Sequence, residues 1–198
     1  LLSRRQRQMC IRDSSCTVHR EGSIAMGLIH IYCGDGKGKT TAAVGLAIRY
    51  AGAGGSVLFY QFMKPETSSE RPILSQIPQI TVLSGYTISK FSFRMTAQEK
   101  ADAAVGYQQQ FAEIVQLVQQ KKYGMLILDE IMSCISCGFL PLKTVLQFLQ
   151  TKPQELEVVL TGRNPDAQLL ELADYVSEIC SRKHPYERGI SARKGIEF

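Results

Sequence analysis

Gly34-Asp35-Gly36-Lys37-Gly38-Lys39-Thr40-Thr41, set between the apolar run 28–33 and the small-residue stretch 42–51, decides the fold. A glycine-rich turn between a strand and a helix lets consecutive backbone N–H groups converge on an anion, and the helix N-terminus adds partial positive charge. Phosphates belong at such a turn. Lys39 supplies a point charge to phosphate oxygens, and the Thr40 hydroxyl is placed to hold a magnesium ion. The usual spacing GxxxxGK[ST] would require glycine at position 33, where the chain carries Cys33. The match is instead to a loop one residue shorter, GxxxGKTT, beginning at Gly34.

Outward from the loop, short apolar runs alternate with helical periodicity, the pattern of a parallel sheet wrapped by helices. Strands are expected at 28–33, 56–62, 80–83, 125–128, 157–161 and 175–180, and helices at 40–51, from Thr96 onward, at 142–149 and at 166–173. In the first helix Ala42, Ala43, Val44, Leu46 and Ala47 are expected on the buried side. Thr96-Ala97-Gln98-Glu99 has capping-box spacing, and Tyr107, Phe111, Ile114 and Val118 then fall on one stripe. The run 125–128 is wholly apolar, as a central strand requires, and Pro141 opens the helix that follows. Residues 26–198 thus read as one α/β domain. The expected architecture is three-layer and P-loop NTPase-like (RecA-like): a mostly parallel sheet of about six strands with helices on both faces.

Composition agrees with one domain: 198 residues, 44% of them hydrophobic, suffice for a single core. The formal charge of +5 is concentrated at one end. Arg4, Arg5, Arg7, Arg12 and Arg20 stand against Asp13 and Glu21, so residues 1–25 carry +3 and the rest only +2. No basic cluster marks the folded part as a nucleic-acid surface. Residues 1–25 lack apolar periodicity, and 8–14 resemble translated vector or adaptor sequence. This segment is expected to be disordered or non-native. No stretch approaches the roughly 18 apolar residues of a spanning helix and no export signal opens the chain, which predicts a cytoplasmic protein without membrane contact. Reduced thiols follow for its six cysteines. Cys134-Ile135-Ser136-Cys137 lacks the second pair or spaced histidine of a zinc site, and reads as two buried thiols on a short helix.

The second half of the site is Asp129-Glu130, at the end of the apolar run 125–128. Carboxyl ends of parallel strands open onto the ligand crevice, so both acids face the loop. Asp129 is the natural magnesium partner, directly or through water; Glu130 serves as a base, a metal partner or a ribose contact. These motifs specify nucleotide binding but not the reaction. A P-loop kinase or ATPase acting at the terminal phosphate, or a non-catalytic ATP-controlled binding module, is equally compatible with these motifs.

Further stretches carry a resemblance: Gly34 to Ala43, Gln61-Phe62-Met63-Lys64, Leu128-Asp129-Glu130, Leu160-Thr161-Gly162-Arg163, Leu172-Ala173-Asp174, Val176-Ser177-Glu178, Lys183-His184-Pro185, Gly189-Ile190 and Gly195-Ile196-Glu197-Phe198. From Gly27 to Phe198 the chain resembles the P-loop type ATP:corrinoid adenosyltransferases, which act on cob(I)alamin and cob(I)yrinic acid a,c-diamide. The short glycine loop is a hallmark of that family. The resemblance implies transfer of the 5′-deoxyadenosyl group of ATP to the cobalt(I) of a corrinoid, with inorganic triphosphate released, in adenosylcobalamin biosynthesis or salvage.

It also implies roles. Lys39, Thr40 and Glu130 would be catalytic, and Gly34, Asp35, Gly36, Lys37, Gly38, Lys39, Thr40, Thr41 and Arg163 would bind ATP. Thr40 and Asp129 would hold Mg2+. Phe91-Ser92-Phe93 is similar to the family's Phe-x-Trp, placing Phe91 and Phe93 against the corrinoid, unless they cover a sheet edge. Arg163 contacts phosphate, a corrinoid side chain, or a surface ion-pair partner; Lys64 has similar alternatives. His184 reads as a hydrogen-bonded structural histidine rather than a cobalt ligand. Family members pair as homodimers and draw electrons from a flavin-dependent, flavodoxin-like partner.

Overall fold

The computed structural model describes residues 26–88, 92–120 and 123–197. The expectation for residues 1–25, and that for Phe91, lie outside this range. Six strands, β1 (Ile29–Cys33), β2 (Val57–Gln61), β3 (Ile80–Val82), β4 (Met125–Asp129), β5 (Glu157–Thr161) and β6 (Tyr175–Glu178), form one sheet. Their order is β3-β2-β4-β5-β1-β6 and every neighbouring pair is parallel. The sheet is therefore wholly rather than mostly parallel. Parallel neighbours need long crossovers, and helices lie in all five: α1 (Lys39–Gly52), α2 (Arg71–Leu74), α3 (Ala97–Gln120), α4 (Ile131–Ser136) with α5 (Leu142–Thr151), and α6 (Ala167–Leu172).

Side-chain alternation makes the three layers. Leu58, Tyr60, Leu126, Leu128, Val158 and Leu160 pack with Tyr107, Phe111, Ile114 and Val118 of α3 and with Val145 and Phe148 of α5. Their chain neighbours Val57, Phe59, Met125, Ile127 and Val159 point the other way, onto Ala43, Ala47 and Ala51 of α1. All five residues of β2 and of β4 are buried, which is why both read as unbroken apolar runs. The buried face of α1 is the single row Lys39, Ala43, Ala47 and Ala51, one residue every four. It is narrower than expected: Val44 and Leu46 are half-buried and Ala42 is exposed.

The capping box forms. Thr96 N donates to Glu99 Oε2 at 2.7 Å and Glu99 N to Thr96 Oγ1 at 3.2 Å, a closure contributing about 1 kcal/mol. On the far side of β1, β6 stops at Glu178, two residues short of expectation, and all four of its residues are exposed. The chain leaves the ladder there to pass under the glycine loop: Ile179 N donates to Cys33 O at 2.9 Å, while Ile179 O accepts from Gly36 N at 2.7 Å.

Candidate active site

Cys33 is the last, buried residue of β1, so the loop starts at Gly34 and lacks nothing. Gly34 has φ 102°, and a Cβ there would sit 2.4 Å from Ile179 O; one at Gly36 would sit 2.7 Å from the same oxygen. These glycines are required by the segment packed beneath them. Asp35 belongs to the same contact: its carboxylate accepts from Ser181 N at 2.9 Å, and that N–H is the first cause holding its pKa below the usual carboxylate range. Lys39 is buried and folded into its own loop, Nζ donating to Gly36 O at 2.8 Å. Burial depresses its pKa, and the nearby charge that most opposes this is that of Glu130. Lys37 and Thr41 are exposed at the mouth.

The loop meets the acids at the carboxyl edge of the sheet. Asp129 is fully buried and its carboxylate is saturated with donors. Thr40 Oγ1 donates at 3.0 Å, Thr161 Oγ1 at 2.6 Å, Gln61 Nε2 at 3.1 Å and Lys64 Nζ at 2.7 Å. Lys64 Nζ also donates to Thr40 Oγ1 at 2.7 Å. Thr161 joins the two acids, because its hydroxyl accepts Glu130 N at 2.9 Å. Glu130 itself adopts φ 58°, a left-handed conformation uncommon for a non-glycine residue and typical of strained functional turns. Its carboxylate accepts from Ser133 Oγ at 2.7 Å.

Thr40 and Asp129 thus come together as expected. Thr161 and Gln61 were named only as members of strand-end motifs and prove integral to the acid's environment. What identifies them is position at the carboxyl ends of β5 and β2, the two strands flanking β4.

The donor set suits a magnesium ion. A hydroxyl and a buried carboxylate are hard oxygen ligands, and Mg2+ takes few of these from protein and the rest from phosphate and water. Gln61 Oε1 is buried beside them with no hydrogen-bond partner among the described residues, and a cationic group already touches both oxygens. Thr40 and Asp129 would hold the ion.

Arg163 is exposed and makes no ion pair among the described residues, yet its charge acts on both Lys39 and Asp35. It stands within electrostatic reach of the loop, at the end of β5. Phe93 lies on a 3₁₀ turn, Ser92–Arg94, and is 75% exposed. That turn is tied to the end of α4 by Cys137 Sγ donating to Ser92 Oγ at 3.4 Å. Beside α4 lies an open depression of about 160 Å³ lined by Met132, Ile135, Ser136, Asn164, Asp166 and Leu169. Cys134 is buried and its thiol is pushed above its usual range by that burial; Cys137 is half-buried. His184 caps a 3₁₀ turn, Pro185–Arg188, its Nδ1 accepting Tyr186 N at 3.2 Å, which is the structural role expected of it.

Comparison with known proteins bears on the reaction. The chain is similar to a corrinoid adenosyltransferase of Escherichia coli (strain K12), with 30% identity over 98% of this chain and 96% of that one. It is likewise similar to corrinoid adenosyltransferase CobA of Salmonella typhimurium, with 31% identity over 98% and 96%. Among solved structures, the cytoplasmic domain of EssC is similar over 85% of this chain and 34% of that one, at 15% identity and a TM-score of 0.49. The model of the ATP:corrinoid adenosyltransferases BtuR/CobO/CobP matches residues 25–198, and the chain belongs to that family.

Proposed function

We propose that loop 34–41 clamps the triphosphate of ATP while the 5′-deoxyadenosyl group passes to the cobalt(I) of a corrinoid at the carboxyl edge of the sheet. One observation carries this assignment: the phosphate loop and a buried, donor-saturated carboxylate meet through Thr40 and Asp129, in a chain of this family. Cobalt(I) gives an electron pair to C5′, and the C5′–O bond breaks with its pair going to the triphosphate. No phosphorus is attacked and no side-chain nucleophile is needed. The protein's work is to neutralise charge on the leaving group and to aim C5′ at the metal.

Lys39 suits the first task once it releases Gly36 O, since a buried ammonium gains most from a phosphate partner. The loop N–H groups, Lys37 and Thr41 at the mouth, and Arg163 from β5 add to it. A magnesium ion on Thr40 and Asp129 would neutralise further triphosphate charge. Glu130, strained and beside Lys39, is placed to orient the nucleotide. For the corrinoid, a flat and partly apolar ligand, exposed Phe93 and the depression along α4 offer an apolar surface, and Phe91 is assigned to the same ligand on the sequence resemblance alone.

A homodimer is the proposed state. Tyr175 and Val176 on edge strand β6, with Ile190 beyond it, are exposed apolar residues that a second chain would cover. A flavin-dependent, flavodoxin-like protein is the proposed electron donor, in the cytoplasm. No helix among the described residues is long and apolar enough to cross a membrane.

The test is an anaerobic incubation of protein, Mg-ATP and chemically reduced corrinoid, with the phosphate product identified and the corrinoid spectrum followed. Inorganic triphosphate with an alkylated corrinoid is expected. ADP with an unchanged spectrum would instead establish transfer or hydrolysis of the terminal phosphoryl group.

A further inference from the structure

Lys64 occupies the position that the proposed magnesium ion needs. Its Nζ is 2.7 Å from Thr40 Oγ1 and 2.7 Å from Asp129 Oδ2, the residues assigned to the ion. A magnesium–oxygen bond is about 2.0–2.1 Å, so an ion on this pair would lie against the ammonium, and two cations on one pair of oxygens repel strongly away from bulk water. The two residues before the lysine are pinned: Phe62 N donates to Asp129 O at 2.9 Å and Met63 N to Tyr107 Oη at 3.1 Å. The side chain is a flexible stem, about a quarter exposed. A second carboxylate, Glu70, stands 3.9 Å from its Nζ, so the ammonium has negative charge to move toward without entering water.

We propose that Lys64 is a tethered counter-ion that closes the Thr40–Asp129 pair to a bare divalent cation and yields it only when a triphosphate arrives to attract the ammonium. The inference rests on the assignment of magnesium to that pair. Metal would then enter with the nucleotide and not before it. Without the ammonium, Thr40 and Asp129 would present a buried carboxylate with no positive charge against it, which favours any divalent ion that enters. Lys64 is in this sense a positioning residue, acting on when the ion binds.

Mn2+ alone is the probe, titrated into nucleotide-free full-length protein while free Mn2+ is followed by electron paramagnetic resonance. Lys64→Gln, which keeps a hydrogen bond to Asp129 but removes the charge, is expected to bind Mn2+ at least about tenfold tighter than wild type, and Lys64→Met to follow it. Lys64→Arg is expected to stay as weak as wild type. Adding Asp129→Asn to Lys64→Gln is expected to abolish the gain. Equal affinity in wild type and both neutral variants overturns the gate. If Asp129→Asn nevertheless lowers Mn2+ retention by wild type with ATP present, the magnesium assignment survives that failure. A gain that persists with Asp129→Asn overturns both, because the ion then sits elsewhere.

Discussion

Thr161 illustrates how much one hydroxyl carries in a buried polar cluster. It donates to Asp129 Oδ1 at 2.6 Å and accepts the backbone N–H of Glu130 at 2.9 Å, so the strained turn at Glu130 and the orientation of Asp129 depend on one fully buried side chain. Thr161→Val keeps the shape, leaves the Glu130 N–H without its hydroxyl partner and takes one of four donors from Asp129. The expected cost is about 1–3 kcal/mol, a fall in Tm of roughly 2–4 °C for each kcal/mol, measured by thermal and denaturant unfolding. Adenosyl transfer should fall further than stability does, because the shortest of the four hydrogen bonds that orient Asp129 is lost together with the bond that holds the Glu130 turn; unchanged activity would show that Thr161 serves only the fold. Lys39, Thr40 and Asp129 are legible in the sequence because their chemistry is tied to local spacing. Thr161 and Gln61 are not, because their place beside Asp129 comes from strand register: Gln61 pairs with Asp129 across β2–β4, and Leu160 with Leu128 across β4–β5. No single stretch of sequence contains that adjacency.

At the scale of elements, the glycines separate into those that contacts require and those that helix geometry merely tolerates. Gly36 has the backbone oxygen of Ile179 2.7 Å from where a Cβ would be, whereas Gly45, inside α1, has nothing within 4 Å. Gly36→Ala should push the loop off the segment beneath it and weaken ATP binding by at least about tenfold, since loop N–H groups displaced from their convergence lose the anion. Gly45→Ala should stabilise the protein by about 0.5–1 kcal/mol, the ordinary gain of alanine over glycine in a helix. Calorimetric titration with Mg-ATP and denaturant unfolding of the two variants read the contrast, and matching effects from both would refute it. The same scale explains which elements periodicity could reveal. In α3, 24 residues long, the apolar stripe repeats several times, and β2 and β4 are continuous apolar runs. In α2 and α4, with four and six residues, hardly a full repeat is available. The α1 stripe is narrower than its apolar residues suggest because alanine and valine are apolar on any face, while only the residues one in four approach the sheet.

Over the whole molecule, four strand ends from one sheet converge on the proposed nucleotide site: β1 through the loop, β2 through Gln61 and Lys64, β4 through Asp129 and β5 through Thr161 and Arg163. Ligand held there bridges four strand ends at once, so its binding energy should appear as global stability. A ligand at a hundredfold excess over its Kd adds about 2.7 kcal/mol, a rise in Tm of roughly 5–10 °C for a chain of this size. The contacts proposed for loop 34–41, Lys39 and Arg163 are all to phosphate, and triphosphate is what adenosyl transfer leaves behind. Mg-triphosphate should therefore protect almost as well as Mg-ATP when each is present at the same concentration, and adenosine should protect hardly at all. Differential scanning calorimetry with the three ligands measures this directly. Protection by adenosine equal to that by Mg-ATP would move the main binding energy off the loop. Near-equal protection by Mg-triphosphate would carry a kinetic consequence too: a leaving group held as tightly as the substrate competes with it, so added triphosphate should inhibit adenosyl transfer competitively against ATP, half-maximally near its own Kd.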